Sequence, residues 1–125
     1  MTTNFISITQ GLDLRKALNE VVRQAADNDN LQIIYVRDEN GMYNGAIMLK
    51  DLFVSKPGTP LEELISTNYP FVYANELIDH VIEDLKDYNA DSIPVLDNDN
   101  TILGIITAQD LLEVLDEEMS EDYAQ

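Results

Sequence analysis

Gly45-Ala46-Ile47-Met48-Leu49-Lys50-Asp51 is answered, 59 residues further along, by Gly104-Ile105-Ile106-Thr107-Ala108-Gln109-Asp110. In each heptapeptide a glycine opens an apolar run, an aspartate stands six residues after it, and a leucine follows. The same offset carries Ile34 onto Ile93, Val36 onto Val95 and Asp38 onto Asp97. It also lays the polar turn Asp38-Glu39-Asn40-Gly41 over Asp97-Asn98-Asp99-Asn100. A match at one fixed period over about 18 positions marks a duplicated supersecondary unit. The leading segments match only at a larger shift, Phe5-Ile6-Ser7-Ile8 onto Phe71-Val72-Tyr73-Ala74. The first unit's leading helix is therefore expected to be several residues longer.

Working outward, each unit reads β-α-β-β-α. A short strand comes first (5–9; 70–73). An amphipathic helix follows, N-capped by Asp13 in the first unit, with Leu14, Leu18, Val21, Val22 and Ala25 at helical spacing. In the second unit the stripe is Leu77, Val81, Ile82 and Leu85. A β-rich run (32–37; 92–96), a turn of Asp, Asn and Gly, and a further strand (43–49; 102–107) come next. A helix starting near Lys50 or Ala108 closes each unit. Lys56-Pro57-Gly58-Thr59-Pro60 is the clearest break, and Leu61 to Ile65 begins a short linking helix. The expected units are 1–58 and 59–125. Neither, at roughly 60 residues, buries its own sheet well. The expected fold is one α/β globule of two repeats packed sheet to sheet with pseudo-twofold symmetry.

Composition narrows the function classes. The 125 residues are 45% hydrophobic, so a core can form. No apolar run approaches the ~20 residues of a membrane span. The opening Met1-Thr2-Thr3-Asn4 lacks the basic and apolar regions of a signal peptide, and the chain is expected to be cytosolic or cut from something larger. There are no cysteines, which excludes disulfides and thiolate metal sites. Asp and Glu number 24 against 7 Lys and Arg, for a net charge of -17. Such a chain repels nucleic acid and anionic membranes, and offers carboxylates to hard cations. His80 has no second His or Cys to join it, no Ser or Thr has a companion base, and no glycine-rich phosphate loop is present. Catalysis is not expected.

The β-α-β-β-α repeat, with Gly-apolar-apolar-(Ser/Thr)-x-x-Asp at the end of its last strand, resembles the cystathionine-β-synthase (CBS) motif. Two in tandem resemble a CBS pair, or Bateman module. Gly104 to Asp110 fits the pattern throughout, whereas Gly45 to Asp51 has Met48 at the Ser/Thr position. A narrower resemblance, to the cytosolic CBS region of MgtE-type magnesium transporters, lies in Ile34-Tyr35-Val36-Arg37-Asp38-Glu39, Leu49-Lys50-Asp51-Leu52, Thr59-Pro60-Leu61-Glu62-Glu63-Leu64, and the acidic stretch Val114 to Asp122.

The resemblance implies two kinds of site. CBS pairs commonly bind adenine nucleotides where the last strand of a motif meets its helix. The residues carried over for a nucleotide are Ile33, Lys50, Asp51, Thr107 and Asp110, with ATP or AMP as the ligand. Lys50 is the one well-placed cation for phosphates. In MgtE-type transporters, acids of the second motif and the following helix bind regulatory Mg²⁺. The matching positions are Asp79, Asp110, Glu113, Glu118, Glu121 and Asp122, whereas Leu77 and Lys86 weaken that pattern. Between Gln109 and Gln125 seven acids occur without a base, an arrangement that opposes helix formation until a cation or a basic partner offsets it. A plain solvated acidic tail, and aspartates that merely cap helices, are the structural alternatives.

The expected function is a Mg²⁺-responsive regulatory module on the cytosolic side of an inner-membrane MgtE-type transporter. It would work as a homodimer and act on the amino-terminal and transmembrane domains of a parent protein. An adenine-nucleotide sensor is the alternative, alone or as a second input.

Overall fold

The computed structural model describes residues 3–28, 31–75 and 92–107. Strands β1 (Ser7–Thr9), β2 (Ile33–Arg37) and β3 (Tyr43–Met48) form one sheet in the order β1-β2-β3. Strands β4 (Val72–Tyr73), β5 (Ser92–Leu96) and β6 (Ile102–Thr107) form a second sheet in the order β4-β5-β6. In each, the first pair is parallel and the second antiparallel. Helix α1 (Leu14–Ala25) crosses from β1 to β2, and helix α2 (Leu49–Val54) follows β3 directly. The expected second-unit stripe (Leu77, Val81, Ile82, Leu85), His80 and the helix near Ala108 lie outside the described residues.

The duplication is visible in local geometry. Asp38 Oδ1 accepts from the Asn40 and Met42 amides at 2.8 and 3.0 Å; Asp97 Oδ1 accepts from the Asp99 and Thr101 amides at 2.9 and 3.0 Å. Each of these turns holds one residue in the left-handed region, Gly41 at φ 84° and Asn100 at φ 64°. Gly and Asn are the residues that occupy this region at least cost, so the substitution between the copies preserves the turn. Register corrects one expectation. Ile8 pairs with Val36 and Val72 with Val95, so the leading strands are related by 64 residues and not by the shift that lays Phe5 on Phe71. The conclusion drawn from the larger shift stands, because 64 against 59 leaves the first unit's β1–β2 crossover five residues longer.

Strand residues alternate between two cores. Ile34, Val36 and Ile47 pack with Ile6, Ile8, Ala17, Val21 and Leu52 beneath the helices. Ile33, Tyr35 and Ala46 face the other way and meet Ile105 of the second sheet, forming a seam between the sheets. A strand covered on both faces reads as a continuous apolar run, and hence the sequence Ile33-Ile34-Tyr35-Val36. Asp13 caps α1 as expected, its Oδ1 accepting from the Lys16 amide at 2.7 Å. The apolar stripe is rotated slightly from its expected position. Ala17 and Val21 are buried, while Val22 is 66% exposed. The set 14, 17, 18, 21 and 25 follows the helical period, and Val22 falls on its flank. The expected linking helix is a single 3-10 turn, Leu61–Glu63, anchored by buried Leu61.

Aromatic rings fill the seam. Tyr35, 1% exposed, contacts Phe5, Tyr43 and Tyr69 at centroid distances of 6.0, 6.4 and 6.2 Å, and the chain of contacts continues through Phe71 to Tyr73. The Tyr35 hydroxyl is hydrogen bonded to Ser92 Oγ, and the Tyr69 hydroxyl donates to the Ser92 carbonyl. The Tyr43 amide donates to the Asn100 carbonyl at 2.8 Å, and the Tyr73 hydroxyl to Asn100 Oδ1 at 2.8 Å. Burial, with repulsion from Tyr69 next, pushes the ionisation of Tyr35 and Tyr43 well above the usual phenol range.

Gly45 has a separate task. Its φ is 151°, and a Cβ there would lie 2.7 Å from the Ser66 carbonyl oxygen and 2.8 Å from Ile65 Cγ2, where the linker crosses β3 and bonds Ala46. We expect Gly45→Ala to destabilise by about 2 kcal/mol or more, and Gly41→Ala, with open space around it, by about 1 kcal/mol, in urea denaturation. The tyrosines give a pH prediction. Their ionisation is raised in the folded chain, so the stability they contribute is full below pH about 10. It falls above that pH, by about 1.4 kcal/mol per unit for each of Tyr35 and Tyr43, as the unfolded chain loses protons first. Absorbance titration should show two of the six tyrosines silent until the chain unfolds.

Candidate functional site

The two heptapeptides that revealed the duplication end the outer strands of the two sheets. In the first unit β3 runs straight into α2, and the Leu49 amide donates to the Gln32 carbonyl at 2.9 Å, tying the junction to the start of β2. Met48 is the N-cap residue of α2 and offers no side-chain cap. Asp51 therefore does not cap the helix. It stands in the first turn, half-buried, and its backbone carbonyl receives the Ser55 amide and hydroxyl at the far end. Lys50 is exposed beside it. With only six residues, α2 contributes little dipole, so charged recognition here would fall to the Lys50 and Asp51 side chains themselves.

A cleft of about 380 Å³ opens at this junction, lined by Gln32, Met48, Leu49, Lys50 and Phe53. Its volume falls within the range of small-molecule pockets, and its lining is mostly apolar, with the Gln32 amide and the Lys50 cation as its polar groups. Sequence reading found Lys50 but missed Gln32 and Phe53. The signal for Gln32 was its place before the buried run 33–36, and the signal for Phe53 was its i+3 relation to Lys50 on α2. Ile33 is 5% exposed, and its side chain packs with Tyr35, Ala46 and Ile105 in the seam while it pairs with Met48 across the strands.

In the second unit Thr107 ends β6 and is half-buried. Its cross-strand partner is Ser92, on the rung equivalent to Ile33–Met48. One copy thus carries an apolar rung at this end of the seam and the other a hydroxyl pair. Ser92, which sequence reading passed over, is held by the Tyr35 hydroxyl. Asp110 lies outside the described residues, and so do all the residues expected to bind metal: Asp79, Asp110, Glu113, Glu118, Glu121 and Asp122. Among the described residues no group of three His, Asp or Glu side chains is gathered closely enough to hold a metal ion. Among them, too, no helix is long and apolar enough to cross a membrane.

Comparison with known proteins follows this geometry. The family model for the CBS domain matches residues 61–117. The magnesium transporter MgtE of Thermus thermophilus is 31% identical over 98% of this chain, and that of Enterococcus faecalis 31% identical over 99%. The chain spans 27% of the length of each of these relatives. Among solved structures, the soluble part of a magnesium transporter superposes with a TM-score of 0.85 at 29% identity, covering 93% of this chain and 45% of that one. The cytosolic domain of the Mg²⁺ channel MgtE in complex with ATP gives 0.84 at 30% identity, covering 91% of this chain and 46% of that one. A CBS-domain pair at 19% identity and a TM-score of 0.78 adds agreement in fold alone. Residues 61–117 match the CBS domain, and two sheets of identical topology, related by a duplicated Gly-to-Asp heptapeptide, give the chain the fold of a tandem CBS pair, similar to the cytosolic region of MgtE magnesium transporters.

Proposed function

We propose that this chain is the cation-responsive regulatory module of an MgtE-type magnesium transporter, working as a homodimer on the cytosolic side of the membrane. In this reading residues 1–58 form the first motif and 59–125 the second. The observation that carries it is the 31% identity to MgtE over 98% of the chain. The concentration of acid supports it, since seven carboxylates follow Gln109 with no base among them. Asp79, Asp110, Glu113, Glu118, Glu121 and Asp122 are the proposed ligands. Mg²⁺ keeps much of its water, so it suits a cluster of carboxylates that approach one another only when a cation lies between them. At high Mg²⁺ the acidic faces of the module pack and hold the parent channel closed; at low Mg²⁺ like-charge repulsion loosens them. The role is regulatory, not catalytic.

A second input is favoured by a specific observation. The cleft beside Lys50 is of ligand size, and a similar MgtE cytosolic domain has been solved in complex with ATP. Lys50 would meet phosphate, while Asp51, Thr107 and Asp110 would hydrogen bond ribose hydroxyls and Ile33 would stiffen the wall behind the base.

Mg²⁺ should raise the unfolding temperature more than NaCl at matched ionic strength, by roughly 3–5 °C once the cation exceeds its dissociation constant several-fold. Equal shifts from the two salts would reduce the effect to screening. For the nucleotide, calorimetry with ATP, ADP and AMP should give binding that Lys50→Ala and Asp51→Ala each weaken about tenfold or more with the circular dichroism unchanged. Binding indifferent to both variants would remove the first motif from the site.

A further inference from the structure

The repeat puts a hydroxyl at the end of each motif's last strand, and only the second copy keeps it. Thr107 closes β6, and Met48 closes β3 at the matching position. A thioether, which oxidants attack, thus stands where the other copy has a hydroxyl, which they leave alone.

The fold presents this side chain to solvent. Met48 is 39% exposed and lines the cleft of about 380 Å³ with Gln32, Leu49, Lys50 and Phe53. Its backbone is held in place, because it pairs with Ile33 across the strands and the next amide, of Leu49, donates to the Gln32 carbonyl at 2.9 Å. Met42 is the contrast. It is only partly exposed, in the turn where its amide donates to Asp38 Oδ1.

Oxidation changes the chemistry of the cleft more than its size. The sulfur lone pair takes one oxygen from hydrogen peroxide. An S–O bond forms as the O–O bond breaks, the sulfur gives up two electrons, and the other oxygen leaves as water with both peroxide protons. The flexible apolar side chain becomes a polar one, whose sulfoxide oxygen accepts hydrogen bonds. The polar groups that line the cleft, the Lys50 ammonium and the Gln32 amide, both donate. An acceptor set among them draws off the cation that the nucleotide reading assigns to phosphate, and puts a dipole where the wall was apolar.

We propose that Met48 is a reversible oxidation site, which switches the first cleft from an apolar form that takes a nucleotide to a polar form that holds it weakly. The second copy has Thr107 at this position, so the switch belongs to the first motif alone. The loss of nucleotide rests on the nucleotide reading above; the selective oxidation of Met48 does not.

Brief treatment of the full chain with hydrogen peroxide, followed by fragmentation mass spectrometry, tests it. Met48 should oxidise about fivefold faster than Met42, and the two stereospecific methionine sulfoxide reductases together should restore it. Calorimetry should give an ATP affinity about tenfold weaker on the oxidised chain, recovered after the reductases. A Met48→Leu chain keeps the side-chain volume. Its ATP affinity should be the same before and after peroxide, although Met1, Met42 and Met119 can still be oxidised in it. Circular dichroism checks that the fold persists throughout. Equal rates at Met42 and Met48 overturn the proposal. So does an ATP affinity that peroxide leaves unchanged, or lowers equally in Met48→Leu. An untreated chain that binds no ATP sinks the nucleotide reading, and the oxidation rates, read without nucleotide, then decide for or against the site by themselves.

Discussion

The structure depends on burial of the seam between two small sheets. A sheet of three short strands holds only when its apolar surface is packed against something else. Here β2 is apolar on both faces, so the first sheet needs helices on one side and the second sheet on the other. Tyr35 sits at the centre of that requirement. Burying its ring gains apolar contact, but its hydroxyl must find a partner or lose about 1–3 kcal/mol, and Ser92 of the opposite sheet supplies it. The bond fixes not only that the sheets meet but in which register, because Ser92 lies at the first rung of β5.

That register places the ends of β3 and β6, with Met48 and Thr107, at corresponding points of the two sheets. The two copies then differ in chemistry rather than in form. The Ile33–Met48 rung is apolar and opens beside Lys50; the Ser92–Thr107 rung is a hydroxyl pair. The charge follows the same division, nearly balanced before residue 59 and heavily acidic after it. Duplication supplied a symmetric frame, and the side chains made its halves unequal.

Much of this was legible in the sequence because it rests on local rules. The Asp38 and Asp97 turns, the Asp13 cap and the β2 and β6 strands follow from side-chain hydrogen bonding and from apolar runs, and the structure has them where the residues put them. The rotation of α1 was missed by one flank, at Val22, because several apolar residues compete for one stripe and only packing decides which is buried. The shift of the leading strand was misjudged because Phe5 and Phe71 match as letters, whereas hydrogen-bond register aligns Ile8 with Val72. At the candidate site Lys50 and Asp51 were found through the repeated heptapeptide. Gln32, Phe53 and Ser92 belong to no motif, and they enter only when the chain brings distant segments together.

The central claim is that the acidic half responds to divalent cation while the balanced half stays as it is. Amide hydrogen exchange followed by mass spectrometry, with Mg²⁺ and with NaCl at equal ionic strength, tests it most directly. The account predicts added protection concentrated in peptides from 59–125, specific to Mg²⁺, with peptides from 1–58 nearly unchanged. Protection that is the same in both salts, or that centres on 1–58, would contradict it.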